Sequence, residues 1–319
     1  KAESSEQPAG CTLGVRTIDA HYQAFQDLGV QVITENNHVT LDASNAKSGL
    51  IWLLETSPTV TENVIMFATS LSGTTTIFNA AAEPKVQDLC NFLNRCGAKI
   101  QGIGSSVFTI EGGQSLTPVN HHVISDHYEI STFLSLGALT AGGITIRNAI
   151  PEHFVSINRE FAKFGINIRY EDDTAILDPN QHPVISRTNS TMIVRAQPWP
   201  ALPVDMLPLF IPLALASPTG TALFHNWMYE SGLFWTSEFV KMGADRTMCV
   251  PHRVIVAGGN KLVGATLEAP YIIRAVISMC MAALIADGET IIKNADSLHR
   301  GHPNFVKNLN SLGAHIEEI

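Results

Sequence analysis

Apolar residues fall along this chain in two textures, and the order in which they alternate repeats. Four segments open on Gly, run through alternating apolar and polar positions and reach Asn: GTTTIFN (Gly73–Asn79), GGITIRN (Gly142–Asn148), GTALFHN (Gly220–Asn226) and GETIIKN (Gly288–Asn294). A period of two over so short a length predicts a strand. Each is followed by an amphipathic stretch that ends at Gly: LCNFLNRCGA, INREFAKFGI, TSEFVKMGA and FVKNLNSLGA. These predict surface helices closed by a glycine in the left-handed conformation. A second strand follows, as in KIQGI or NIRYE. The segment IDAHYQAFQDLGVQVI reads as a fifth copy without its first half.

The other texture precedes each strand. ENVIMFATSL, EISTFLSLGALTA, DMLPLFIPLALA and IIRAVISMCMAALIA are apolar nearly all round, which predicts buried helices. The unit is therefore buried helix, strand, surface helix, strand pair. This is not the βα alternation of a doubly wound sheet or a parallel barrel. Its period of roughly 70 residues is also too long for a thin solenoid. Four matches with the same flanks argue against coincidence. The pattern implies sheets with helices packed inside them.

Composition narrows the class. The 319 residues suggest two domains, and 45% hydrophobic against 15% charged residues supports a large core. A net charge of −9 excludes a general nucleic-acid or anionic-membrane binder, while an anionic small ligand would need local arginines. The five cysteines, at 11, 90, 96, 249 and 280, show no zinc-ligand spacing and no disulfide framework, which points to a reducing cytosol. No apolar run is long enough to span a bilayer. The start KAESSEQPAG is not a secretory signal and lacks Met, so the chain reads as a fragment or a processed protein.

Polar groups collect where the buried helices begin: SPTVTEN (Ser57–Asn63), SDHYE (Ser125–Glu129) and PVD (Pro203–Asp205), with Arg274 early in the fourth. Free N–H groups and the positive dipole end suit phosphate or carboxylate ligands. The same residues also serve as ordinary N-caps, and the sequence leaves both readings open. Arg274 fits neither, because a cation opposes the dipole there and an arginine in an apolar helix needs a partner. A thiol, a guanidinium, a carboxylate and an imidazole crowd the glycine-containing loop PAGCTLGVRTIDAH (Pro8–His21). His299 and His302 flank Arg300 in LHRGHP. Their spacing in a Gly/Pro-broken loop does not make a metal site. His121 and His122 are expected on the linker surface, and Cys90, Cys96, Cys249 and Cys280 in or near the core.

AGCTLGVRTIDAH, GTTTIFNAAAEP, LPVDM and LHRGHP, with the repeat, resemble the UDP-N-acetylglucosamine enolpyruvyl (1-carboxyvinyl) transferases of peptidoglycan synthesis, relatives of the 3-phosphoshikimate enolpyruvyl transferases. The resemblance covers the whole chain, with about a hundred residues of the family pattern expected before Lys1. It implies an α+β fold of the inside-out α/β (alpha-beta prism) kind in two domains, an incomplete first one over residues 1–118 and a second over 119–319, with substrates held between them. It also implies transfer of the enolpyruvyl group of phosphoenolpyruvate to a sugar 3-hydroxyl in the cytoplasm, without metal or organic cofactor. Nucleic acid and membrane are not expected partners; a partner chain or a missing segment would complete the first domain.

By the same resemblance Cys11 is the proton donor to C3 and the residue alkylated by fosfomycin, and a thiol beside arginines ionises more readily. Arg16, Arg274 and Arg300 clamp the phosphate and carboxylate of phosphoenolpyruvate, as bidentate guanidinium groups do well. Asp205 contacts the reacting sugar hydroxyl, Asp19 contacts the nucleotide, and Ser57 and Thr59 lie in the nucleotide-phosphate segment. Glu83 matches a position near the cleft whose role stays open.

The chain departs from the family pattern in places. Glu55 stands where a lysine is expected, Pro58 and Thr59 replace a small flexible pair, and Gly232 replaces an arginine. An anion beside a diphosphate weakens its binding by about a kcal/mol when partly desolvated. Three readings follow: a transferase acting on UDP-N-acetylglucosamine, one acting on a different nucleotide, or a truncated non-catalytic paralogue that binds nucleotide.

Overall fold

Where the repeat alternates textures, the chain alternates buried helix, strand and surface helix. A computed structural model describes residues 2–4, 18–35, 38–186 and 191–318. It divides into two compact units. One takes the described residues through Ile124 with the segment Pro198–Pro200; the other takes Ser125–Gln197 and the residues from Ala201 onward.

In the first unit, strand β1 (Ala2–Ser4), helix α1 (Asp19–Asp27), strands β2 (Gln31–Glu35) and β3 (His38–Asp42) precede β4 (Leu50–Trp52), α2 (Pro58–Ser70), β5 (Gly73–Phe78), α3 (Pro84–Arg95), β6 (Lys99–Gln101) and β7 (Val107–Gly112). Strand order is β1-β3-β2 in one antiparallel sheet and β4-β5-β7-β6 in the other. β4 and β5 run parallel, with Ile51 opposite Ile77 and Trp52 opposite Phe78. A parallel pair needs a crossover, and α2 supplies it. β5, β7 and β6 then pair antiparallel. Ile51, Ile77, Phe108, Ile110 and Ile100 point inward to Val60, Val64, Ile65 and Ala68 of α2. On the opposite face Trp52 stacks on Phe78 at 4.9 Å. α2 is apolar on one side rather than all round: Met66 is exposed and Glu62 is half-buried.

The second unit repeats the plan. Its elements are α4 (His127–Thr140), β8 (Ile144–Ile146), α5 (Val155–Lys163), β9 (Ile168–Glu171), β10 (Thr174–Leu177), β11 (Met192–Arg195), α6 (Leu207–Ala216), β12 (Thr221–His225), β13 (Asp245–Val250), β14 (Arg253–Ala257), β15 (Thr266–Glu268), α7 (Ile273–Ala283), β16 (Ile291–Lys293) and α8 (Phe305–Ser311). The sheets are β8-β10-β9, β11-β12-β14-β13 and β15-β16. Again a parallel pair brackets a buried helix, β11 with β12 around α6 and β15 with β16 around α7. α4, α6 and α7 pack on one another, and every residue of α6 from Leu207 to Leu215 is buried. Sheets lie outside and apolar helices inside, the inside-out α/β arrangement.

Every amphipathic helix is closed as its sequence predicts. Gly29, Gly97, Gly165, Gly243 and Gly313 all have positive φ, from 73° to 112°, where a Cβ is costly. Asn79, Asn148 and Asn294, at the ends of three Gly-to-Asn segments, are left-handed as well. One predicted surface helix takes another form: Phe234–Met242 is a 3-10 helix. There the Thr236 hydroxyl donates to the Leu233 carbonyl and the Trp235 indole N–H to that of Gly232; such side-chain donors compete with the α-helical ladder. Among the described residues no helix is long and apolar enough to cross a membrane.

Candidate active site

Cys11 and Arg16 lie outside the described residues. The other predicted site residues fall into two groups, one in each unit.

In the first unit the entry to α2 carries Ser57 and Thr59. Ser57 is the N-cap residue of α2, yet its side chain makes no capping bond; its hydroxyl lies 3.3 Å from that of Thr59. Thr59 Oγ1 is 3.5 Å from His21 Nε2, and the Asn63 amide Nδ2 is 3.0 Å from His21 Nδ1. An amide NH2 only donates, so Nδ1 accepts and the ring proton sits on Nε2, facing Thr59. Burial holds the pKa of His21 below its ordinary value, against the opposing pull of Glu55. Asp19 is the first residue of α1 and is exposed. Glu55, in the predicted nucleotide-phosphate segment, is exposed too. His21 and Asn63 complete this polar row. Their types are visible in RTIDAH and SPTVTEN, but their meeting depends on α1 packing on α2.

In the second unit the cation that the helix dipole disfavours finds its partners. Arg274 is the second residue of α7. Its Nη1 lies 2.7 Å from His302 Nε2, and its guanidinium sits 5.2 Å from the centre of the Tyr128 ring. Arg300 ends the 3-10 turn Ala295–Arg300, with its guanidinium 5.2 Å from the Tyr271 ring centre. The two arginines thus cross-link the same pair of segments: Arg274 reaches the residue two past Arg300, and Arg300 reaches the residue three before Arg274. Asp205 is half-buried in the 3-10 turn Val204–Met206 that leads into α6. Of the polar residues at buried-helix starts, Asp126 is a true cap, its Oδ1 accepting from Tyr128 N at 2.8 Å.

Several expectations need correction. Cys249 is exposed rather than core: it falls with Asp245 and Thr247 on the outward face of β13. His121 is not a free surface group. Its side chain is largely covered, its Nε2 lies 3.1 Å from Asp88 and its Nδ1 3.3 Å from Arg95. Cys90, Cys96 and Cys280 do sit in or against the cores. Burial pushes the thiols of Cys90 and Cys280 up to about 12. Glu83 is buried just before α3, and among the described residues its Oε2 has no hydrogen-bond partner. Desolvation raises its pKa, opposed by backbone hydrogen bonding to the carboxyl and by Lys85, with Glu62 adding. The space an arginine would need at Gly232 is taken: a Cβ there would meet the Asn226 amide nitrogen at 2.2 Å.

This fold is that of the enolpyruvyl transferases. The enolpyruvyl transferase NikO from Streptomyces tendae superposes with a TM-score of 0.83 at 21% identity, over 96% of this chain and 73% of that one. EPSP synthase from Acinetobacter baumannii gives 0.70 at 18%, with the same coverage. Residues 6–309 match the family model of EPSP synthase (3-phosphoshikimate 1-carboxyvinyltransferase). Curated UDP-N-acetylglucosamine 1-carboxyvinyltransferases are similar along nearly the whole chain. That of Borreliella burgdorferi is 36% identical over 98% of this chain and 73% of its own. That of Treponema denticola is 38% identical over 97% and 72%. The chain belongs to the EPSP synthase (3-phosphoshikimate 1-carboxyvinyltransferase) family.

Proposed function

We propose that this chain transfers the enolpyruvyl group of phosphoenolpyruvate to the 3-hydroxyl of UDP-N-acetylglucosamine and releases phosphate, the first committed step of peptidoglycan synthesis, in the cytoplasm. The observation that carries this reading is the identity, 36% and 38%, with proteins of that name along nearly all of the chain. The sequence keeps Cys11, Arg16, Asp205, Arg274 and Arg300 in the motifs that match.

The reaction is an addition followed by an elimination. Asp205 takes the proton of the attacking hydroxyl, whose oxygen bonds to C2 of phosphoenolpyruvate. The thiol of Cys11 delivers a proton to C3, giving a tetrahedral adduct. C3 then returns a proton, the C2–C3 double bond re-forms and phosphate leaves. Arg16, Arg274 and Arg300 neutralise the phosphate and carboxylate, a charge-assisted grip suited to planar anions. Asp19, Ser57 and Thr59 contact the nucleotide. These steps ask nothing of a metal or organic cofactor.

One observation favours a different nucleotide as acceptor. The exposed carboxylate of Glu55 occupies the segment assigned to the diphosphate, where it repels that group. Phosphate release from phosphoenolpyruvate, measured with a panel of UDP-sugars and UMP, separates the two. Turnover with UDP-N-acetylglucosamine supports the first reading. Turnover with another nucleotide alone supports the second. Silence with every acceptor defeats both and leaves a nucleotide-binding paralogue.

A further inference from the structure

His302 is almost wholly buried, with 1% of its side chain exposed, yet it faces charge on several sides. From α7, Arg274 Nη1 approaches its Nε2 to 2.7 Å. From the start of α4, Glu129 Oε1 lies 3.6 Å from its Nδ1, beyond hydrogen-bond length, and the charge of Asp126 also acts on it. From α8, the Phe305 ring closes the pocket at 5.6 Å. Arg300 is two residues away on the same segment.

A guanidinium has donors only, so Nε2 must present its lone pair to Arg274. The neutral ring then carries its proton on Nδ1, toward Glu129. A protonated ring has no lone pair to offer and would set a second cation against the first.

We propose that His302 is a positioning residue for Arg274: its neutral imidazole holds the guanidinium in the pose that captures the anionic substrate, and protonation of the ring lets it go. This rests on the reading of Arg274 as a phosphoenolpyruvate ligand. Burial and the charge of Arg274 lower the pKa of His302, while Glu129 and Asp126 oppose them. The grip therefore holds at neutral pH and fails on the acid side.

The test compares the full chain with His302→Gln, whose amide oxygen accepts a hydrogen bond but does not titrate, and with His302→Phe, which fills space without accepting. KM for phosphoenolpyruvate is followed from about pH 5 to pH 8, the range in which histidine titrates. The wild type should show KM rising on the acid side. The Phe variant should raise KM at neutral pH by about tenfold, the loss of one charge-assisted hydrogen bond, with kcat changed less. The Gln variant should keep the neutral KM and lose the acid limb. The proposal is overturned by a Phe variant with wild-type KM, by a Gln variant as impaired as Phe, by an acid limb that survives in Gln, or by KM falling in acid.

Nitrogen-15 NMR of the imidazole reads the pair without turnover. It should find the proton on Nδ1 and the bare nitrogen at Nε2, and Arg274→Leu should raise the titration midpoint. The opposite tautomer overturns the proposal whatever the activity. The expected tautomer in a protein that turns over no acceptor supports the pair and removes the transferase reading instead.

Discussion

The hydroxyl of Ser278 on α7 donates to the carbonyl oxygen of Pro208 on α6, 2.9 Å away. Pro212 stands inside α6 and has no N–H to give that carbonyl, so the ladder has a gap at a fully buried place. A neighbouring helix fills it.

Ser278→Ala is therefore expected to cost about 1–3 kcal/mol, the range for a buried acceptor left unpaired. The midpoint of urea unfolding measures it. With Pro212→Ala the helix regains its own donor, and the cost of Ser278→Ala should shrink in the double-mutant cycle. An unchanged cost would mean that the hydroxyl matters only by its volume.

The cysteines should differ in reactivity. Cys90 and Cys280 have thiols held near 12 by burial and should resist a thiol reagent in the native protein at neutral pH. Exposed Cys249 should be modified by a general thiol reagent. Fosfomycin should leave one adduct, on Cys11. Intact-mass analysis with peptide mapping checks this, and an adduct on Cys249 instead would remove the assignment of the loop thiol.

Glu83 has a raised carboxyl pKa because burial penalises the charged form. A group that holds its proton more tightly when folded favours the folded state at low pH. That stability is lost as pH rises from the unfolded carboxyl pKa through the folded one. Glu83→Gln should flatten this fall and raise Tm at neutral pH. Thermal unfolding across pH reads it, and a lower Tm at neutral pH in the variant would show that the carboxylate has a folded-state partner.

Glu55→Lys replaces a repelling charge with an attracting one in the proposed diphosphate segment. KM for the UDP-sugar should fall by about fivefold to tenfold, the equivalent of roughly 1 kcal/mol. Gly232→Arg should not help alone, because Asn226 fills the space. It should lower stability, with partial recovery in an Asn226→Ala background. Steady-state kinetics and unfolding midpoints separate the two effects.

Much of the fold was legible because it rests on local signals. The glycines after the amphipathic stretches, the Asn that ends three strand segments and the apolar run MLPLFIPLALA each constrain their own neighbourhood, and the structure follows them. The parallel pairing of β4 with β5 was not legible, since three residues, LIW, give no period to count. Phe234–Met242 misled because its amphipathic spacing does not reveal donors aimed at their own backbone. Cys249 misled because residue type alone does not say which face of a strand it takes, and it falls with Asp245 and Thr247 on the outward face of β13. The site is legible only in part for the same reason. Arg274 announced that it needed a partner, but His302 is 28 residues away and its role follows from packing.

The five glycines that end the amphipathic helices give the chain a signature outside its structure. Each requires a backbone most side chains resist, so a saturation library selected for folding should be depleted at 29, 97, 165, 243 and 313 like the teeth of a comb. Such a comb would mark where each repeated unit closes even if every other letter of the copies differed.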